Sequence, residues 1–168
     1  FKDKNSGDTV STFTNRSIND PEFRAFQSGE KPADWYVCIS SVEVPATNQR
    51  IKRGRAQIKH TYCLVLDDVG TKAKEEDIPL PPSWKIETSP GNYQWGYFID
   101  RDNRQAKVEA LIDALISKGM SDPGAIGVYR IVRIPGSINM KPANNKFPAR
   151  LTEWNPQRSS SLEDIASA

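Results

Sequence analysis

Six residues near the middle of the chain, Thr61-Tyr62-Cys63-Leu64-Val65-Leu66, form a compact apolar run that ends on Asp67-Asp68. A run of this length and β-forming content predicts a strand buried on both faces, so the fold must supply a layer on each side of it. One such layer is legible further on. Val108, Leu111, Ile112, Leu115 and Ile116 recur at i, i+3, i+4, i+7 and i+8, which predicts an amphipathic helix. Asp102 and Gln105 have the spacing of a capping box at its start, and Gly119 suits its left-handed end. Other strands are expected over Trp35 to Val44, Lys85 to Thr88, Tyr93 to Ile99, Val128 to Ile134 and Arg150 to Trp154. Asp20-Pro21-Glu22 reads as the start of a short helix carrying Phe23 and Phe26. The order of elements predicts an α+β fold on a mixed or antiparallel sheet, not a doubly wound one. The 168 residues suit one domain. It is expected over 1–158, with an N-terminal part at 1–60, a core at 61–158, and 159–168 as a linker, a helix or the start of a following region.

Composition removes several chemistries. The single histidine, His60, rules out a zinc site built from several imidazoles and the two-histidine cluster of rolling-circle endonucleases. Any metal must then be held mainly by carboxylates, which selects a hard ion such as Mg²⁺ or Mn²⁺. Cys38 and Cys63 lie inside apolar runs without metal-ligand spacing and read as buried thiols. Neither a GxGxxG nor a Walker A sequence is present. No apolar run approaches the ~18 residues of a membrane span, so no membrane partner is expected. The formal net charge is only +2, but its distribution is uneven. Arg50, Lys52, Arg53, Arg55 and Lys59 fall together with no acid among them, and Arg130, Arg133, Lys141, Lys146 and Arg150 form a second cationic stretch. The first run suits a nucleic-acid backbone or, equally, a solvated loop.

Four constellations carry candidate chemistry. Asp67-Asp68-Val69-Gly70-Thr71-Lys72 puts two carboxylates at the end of a buried strand, where their repulsion calls for a cation. Adjacent strand residues point to opposite faces, so both reach one ion only if the strand ends or bulges there. An exposed Asp-Asp turn is the plain alternative. Ser89-Pro90-Gly91-Asn92-Tyr93-Gln94 offers backbone N–H groups and the neutral side chains of Ser89, Asn92 and Gln94, suited to cradling a triphosphate or simply closing a hairpin. Asp122, in Ser-Asp-Pro-Gly, is a third carboxylate or a routine turn residue. Arg130 and Arg133, followed by Asn139 and Lys141, provide phosphate-gripping forks and a point charge, or a charged edge strand. Trp84, Trp95, Tyr93 and Tyr97 could stack on bases or fill the core.

In order, LVLDDVGTK (64–72), ETSPGNYQWGY (87–97) and SDPGAIGVYRIVRIPGSINMKP (121–142) resemble the catalytic domain of archaeo-eukaryotic-type primases, most closely the phage and plasmid primase-polymerases of RepB type. The likeness spans about half the chain. It implies an AEP-like fold: an RRM-like sheet with helices packed on it and a second α/β module. It also implies template-directed nucleotidyl transfer, making or extending primers on single-stranded DNA from dNTPs or NTPs, with two divalent ions, Mg²⁺ or Mn²⁺. Carried over, Asp67 and Asp68 hold the metals, Asp122 completes the set, and Asp100 or Asp102 are substitutes for it. Ser89, Asn92, Gln94, Arg130, Arg133, Asn139, Lys141 and Lys72 fall where the nucleotide is bound. Relatives carry a Ser-x-His turn where this chain has Ser89, Asn92 and Gln94, so that phosphate contact passes to Gln94 or to backbone N–H groups. A helicase region or replication partner, and a place in the cytoplasm of a bacterial host of a phage or plasmid, are further expectations. The rival functions are a non-catalytic nucleic-acid-binding module and a metal-dependent nuclease on the same carboxylates.

Overall fold

The computed structural model describes residues 34–43, 54–102 and 104–168, together with Pro21, Arg24 and Ala25. Those three are helical, while the rest of the helix expected from Asp20 lies outside the described residues. The centre is a five-stranded antiparallel sheet. It is built from β2 (Ser40–Val42), β3 (Ile58–Val69), β4 (Trp84–Ser89), β5 (Asn92–Asp102) and β9 (Arg150–Trp154), in the order β2-β3-β5-β4-β9. Two small pairs flank it: β1 (Tyr36–Cys38) with β6 (Ile131–Arg133), and β7 (Ile138–Asn139) with β8 (Phe147–Pro148). Helix α1 (Gln105–Ser117) packs on β3, and the short α2 (Leu162–Ser167) packs on α1.

The period of two along β3 explains the layering. Leu64 and Leu66 join Trp95, Tyr97, Val108, Ile112 and Leu115 in a core between sheet and helix. Cys63 and Val65 face the other way, into a second core with Ile39, Trp84, Ile86, Val132 and Ala149. Each fully buried aliphatic side chain here contributes ~1.5–3 kcal/mol, so one strand anchors both layers. The close approach of Trp84 across Gly96 is part of the second core, since a methyl group at position 96 would fall inside the indole.

Several boundaries differ from expectation. The strand foreseen over 35–44 breaks at Ile39, because its two halves serve different partners: β1 pairs with β6 and β2 with β3. Val128 to Ile134 shrinks to β6, since Val128 and Tyr129 are spent on a turn after Gly127, whose φ is +78°. The central strand runs on through Asp67-Asp68 to Val69. The capping box at Asp102 does not form. Asp102 is the last residue of β5, and Arg104 precedes α1 without a side-chain cap. A capping box occurs instead at Ser161 and Asp164, which starts α2, and Leu162 and Ile165 are buried in the main core. The end of the chain is thus a docked helix. Gly119, at φ +79°, turns the chain after α1 as foreseen.

Burial on both sides has a consequence for Cys63. Loss of water around its thiol pushes its pKa up to about 12, against which weaker contacts with Trp84, Tyr97 and Arg130 act. Native protein at pH 8 is expected to show one thiol reactive toward a disulfide reagent, the half-buried Cys38, and two after denaturation. The sign for stability follows. Between the unfolded value of 9.0 and about 12 the unfolded chain releases a proton that the folded chain keeps, so stability falls as pH rises through that window. A denaturant midpoint that does not drop between pH 8 and pH 10.5 in wild type relative to Cys63→Ala would count against this environment.

Candidate active site

Asp67 and Asp68 lie at the C-terminal end of β3, where its register with β5 shifts between Leu66 and Val69. The shift is a bulge: Asp68 has φ +56°, a left-handed conformation that Asp tolerates better than most residues. The bulge interrupts the regular alternation of the strand at the two acids. The loop behind it is then tied down. Backbone N–H groups of Thr71, Lys72 and Ala73 donate to the Asp68 carbonyl at 3.2, 2.9 and 3.1 Å. Gly70, at φ +88°, must be glycine, because a Cβ there would lie 2.5 Å from the Gly91 carbonyl oxygen. That contact locks the Asp-Asp loop against the Pro90-Gly91 turn. Across the same junction Asn92 Nδ2 donates to Asp68 Oδ1 at 2.8 Å, and the Thr71 hydroxyl donates to Asn92 Oδ1 at 3.0 Å.

Asp122 arrives from the loop after α1. Its backbone N–H donates to the Asp67 carbonyl at 3.0 Å, and the Asp67 N–H donates to Ser121 Oγ at 2.9 Å. Lys72 then spans the gap between the carboxylates: its ammonium lies 2.8 Å from Asp68 Oδ2 and is hydrogen-bonded to Asp122. Burial pushes the Asp68 carboxyl up, but the hydrogen bonds from Lys72 and Asn92 and the charges of Lys72 and Lys141 outweigh it, and the net shift is downward. Hydrogen bonds to Asp122 and Asp68 hold the Lys72 ammonium well above its ordinary range. Asp67 is turned toward buried Arg130, whose Nη2 donates to Asp67 Oδ2 at 3.0 Å while Nη1 donates to the Val65 carbonyl at 2.7 Å. Among the described residues no three Asp, Glu, His or Cys side chains converge as a ready-made metal cage. What the carboxylates do share is a cation, the Lys72 ammonium, at the point where Asp68 and Asp122 face each other. Hard oxygen donors already bridged by a positive charge fit a divalent ion in that place.

The other foreseen residues divide into two groups. Lys141 is exposed, and its charge reaches Asp68. Ser89 is buried at the end of β4, paired in register with Asn92. The remainder have their polar groups engaged. Gln94 is buried, and its Oε1 accepts from the Arg133 N–H at 3.1 Å. Asn139 donates to the Thr88 carbonyl at 2.7 Å. Arg133 is buried in an ion pair with Asp34, donates to Tyr36 Oη at 2.7 Å, and lies over the Tyr36 ring. Trp84, Trp95 and Tyr97 are core residues. Asp100 is exposed on β5, and Asp102 pairs with Thr61 at the far end of β3. That is six residues, roughly 20 Å, from Asp67. Arg55 and Lys59 also lie at that far end, paired with Glu109 and Glu43. Arg50, Lys52 and Arg53 are outside the described residues. Two positioning residues escaped sequence reading, Ser121 and Asp34. Ser121 stands beside a foreseen acid, and Asp34 immediately precedes a buried Trp; neither sits in a chemical motif.

No curated protein matches the chain. Among solved structures, the AEP domain of the primase-polymerase of cyanophage S-2L superposes with a TM-score of 0.61 at 10% identity, covering 80% of this chain and 69% of that one. At that identity the likeness establishes the fold: the α+β arrangement described above is that of an AEP primase-polymerase domain. A family model described as the RepB DNA-primase N-terminal domain matches residues 16–168. Most of the chain is thereby accounted for, including the strand with its bulged acids and the two loops that lock against it, and the chain belongs to the RepB DNA-primase N-terminal domain family.

Proposed function

We propose that this domain carries out template-directed nucleotidyl transfer, making or extending primers on single-stranded DNA. The observation that supports the proposal is the bulged strand end at Asp67-Asp68, with Asp122 tied to it by a backbone bond to Asp67 and Asp68 and Asp122 sharing the Lys72 ammonium. Asp68 and Asp122, with Asp67, would hold divalent ions. Ions bound there supply an acidified 3′-hydroxyl and charge neutralisation at the leaving pyrophosphate. The chain's own residues do the positioning that phosphoryl transfer needs. Asn92 orients the Asp68 carboxylate, Arg130 aims Asp67, and Gly70 against Gly91 fixes the distance between the acid loop and the turn expected to receive phosphates. Lys141 would meet the triphosphate, and Lys72, whose side chain is 61% exposed, would pass from carboxylates to phosphate. Asn139, Gln94 and Arg133 support these groups from below.

The test is incorporation of labelled dNTPs or NTPs on a single-stranded template with Mg²⁺ or Mn²⁺, run alongside the same strand without nucleotides. Metal-dependent extension supports the proposal. Degradation without extension would replace it with a nuclease, and DNA binding with neither would leave a passive module. The position of Lys72 adds a sharper expectation. Its ammonium sits between the carboxylates proposed to hold a metal, so Lys72→Met should tighten Mn²⁺ binding to the nucleotide-free domain by roughly threefold to tenfold, as removal of a competing exposed charge predicts. Titration calorimetry or Mn²⁺ electron paramagnetic resonance reads this directly. Weaker Mn²⁺ binding in the variant would show that Lys72 organises the carboxylates rather than competing for them.

A further inference from the structure

From Pro123 to Thr152 the sequence holds five cations and no Asp or Glu. Two of the five, Arg130 and Arg133, are buried in ion pairs. The other three, Lys141, Lys146 and Arg150, are exposed and follow one another along the β7–β8 hairpin into β9. No ion pair holds Lys141 or Lys146 among the described residues. Arg150 stands over the Phe147 ring at 5.0 Å and makes a long ion pair, 3.9 Å, with Glu87 opposite it, whose carboxylate also accepts from the Gly91 N–H at 3.1 Å. The row of charges therefore begins beside Asp68 and passes the Pro90-Gly91 turn. It continues onto the edge strand of the main sheet. β9 carries Leu151, 45% exposed, and ends on Trp154, 55% exposed, whose indole stands edge-on to Phe98 at 5.7 Å. Trp154 lies opposite Trp84 in register, roughly 13 Å from Arg150 along the strand and away from the acids.

We propose that this edge is the path of single-stranded DNA out of the active site, with Lys146 and Arg150 on phosphates beyond the triphosphate that Lys141 meets, and Trp154 as the platform on which a base stacks. The proposal deepens the primase reading and rests on it for the identity of the strand. Alternating phosphate charge and apolar base is the ligand chemistry that suits a row of exposed cations, two of them without an ion pair among the described residues, ending in an exposed indole. A second protein strand suits the edge less well. β9 is five residues long, its pairing with β4 is bulged, and Pro148 and Pro156 close it on both sides.

The experiment measures binding of fluorescein-labelled oligo(dT) to the domain by anisotropy, as a function of salt. Trp154→Ala is expected to weaken binding about tenfold and Trp154→Phe to keep most of it, as stacking predicts. The Lys146→Ala, Arg150→Ala pair should flatten the slope of log affinity against log salt by roughly one unit or more. All these side chains are exposed, so melting temperatures close to wild type check that the variants fold. Wild-type affinity and slope in both Trp154→Ala and the double variant would overturn the proposal. So would a dimer in sedimentation that Trp154→Ala dissolves while oligo(dT) binding is unchanged. A wild-type domain that makes no primer but loses oligo(dT) on Trp154→Ala would sink the primase reading and leave this path standing.

Discussion

Asp68→Asn is expected to abolish primer synthesis, by roughly a thousandfold or more, while the domain melts within about 3 °C of wild type. The two halves of that expectation have different causes. Activity falls because the substitution removes a charge whose role is to hold cations against a triphosphate, an interaction that strengthens in the transition state. Stability barely moves because the partner lost is Lys72, whose side chain is 61% exposed, and water and salt screen ion pairs of that kind until they contribute little. The Asn92 amide can turn to pair with the new side chain. Asp67→Asn should behave differently. Its partner Arg130 is only 8% exposed, and neutralising Asp67 leaves a buried guanidinium short of its counter-charge. A loss of about 2 kcal/mol or more is expected, a drop of roughly 4–8 °C for a domain of this size, in addition to lost activity. Incorporation assays and thermal melts on both variants make the comparison. Wild-type synthesis by Asp68→Asn would remove the carboxylates from the mechanism, and equal stability of the two variants would remove Arg130 from its structural role.

That contrast also shows what the sequence could and could not reveal. The apolar run ending on Asp67-Asp68 announces a two-faced strand, and a strand buried twice is a local property that residue types alone convey. How the strand end directs the two acids is not local. It depends on Asp68 adopting φ +56°, which is stabilised by three backbone donors from its own loop and by Asn92 from the neighbouring hairpin. The same distinction separates the arginines. Arg130 and Arg133 look alike on paper, three residues apart in a basic stretch, yet both are buried and turned to different acids, Asp67 and Asp34. Burial is decided by the layer packed above, and no spacing rule reports it. For the short helix at 162–167 the sequence leaves helix and linker open, and it is the docking that is hidden: the capping box at Ser161 is local and readable, but six residues give too little periodicity to show that Leu162 and Ile165 face a core.

The Arg133–Asp34 pair leads to the second large effect. Both side chains are 5% exposed. Asp34 also accepts the Met140 N–H at 3.2 Å, and Arg133 also donates to the Ile138 carbonyl at 3.3 Å and to Tyr36. The pair therefore ties the segment before β1 to the turn that carries Asn139 and Lys141. Removing one partner of such a pair leaves an uncompensated buried charge, and Asp34→Ala should cost about 3–5 kcal/mol, a large share of the ~5–15 kcal/mol that holds an ordinary domain together. Replacing both partners by apolar residues of similar bulk, Asp34→Leu with Arg133→Met, should recover most of that loss, because the desolvation cost of both charges disappears together. Urea titrations of the single and double variants measure the coupling. An Asp34→Ala variant as stable as wild type would show that the pair does not hold the layers together. Nucleotide incorporation by the double variant then decides what Arg133 contributes to the reaction. If activity returns with stability, Arg133 acts by supporting the turn that carries Lys141. If stability returns without activity, the guanidinium leaves Asp34 to grip the triphosphate, and the buried pair is its resting position.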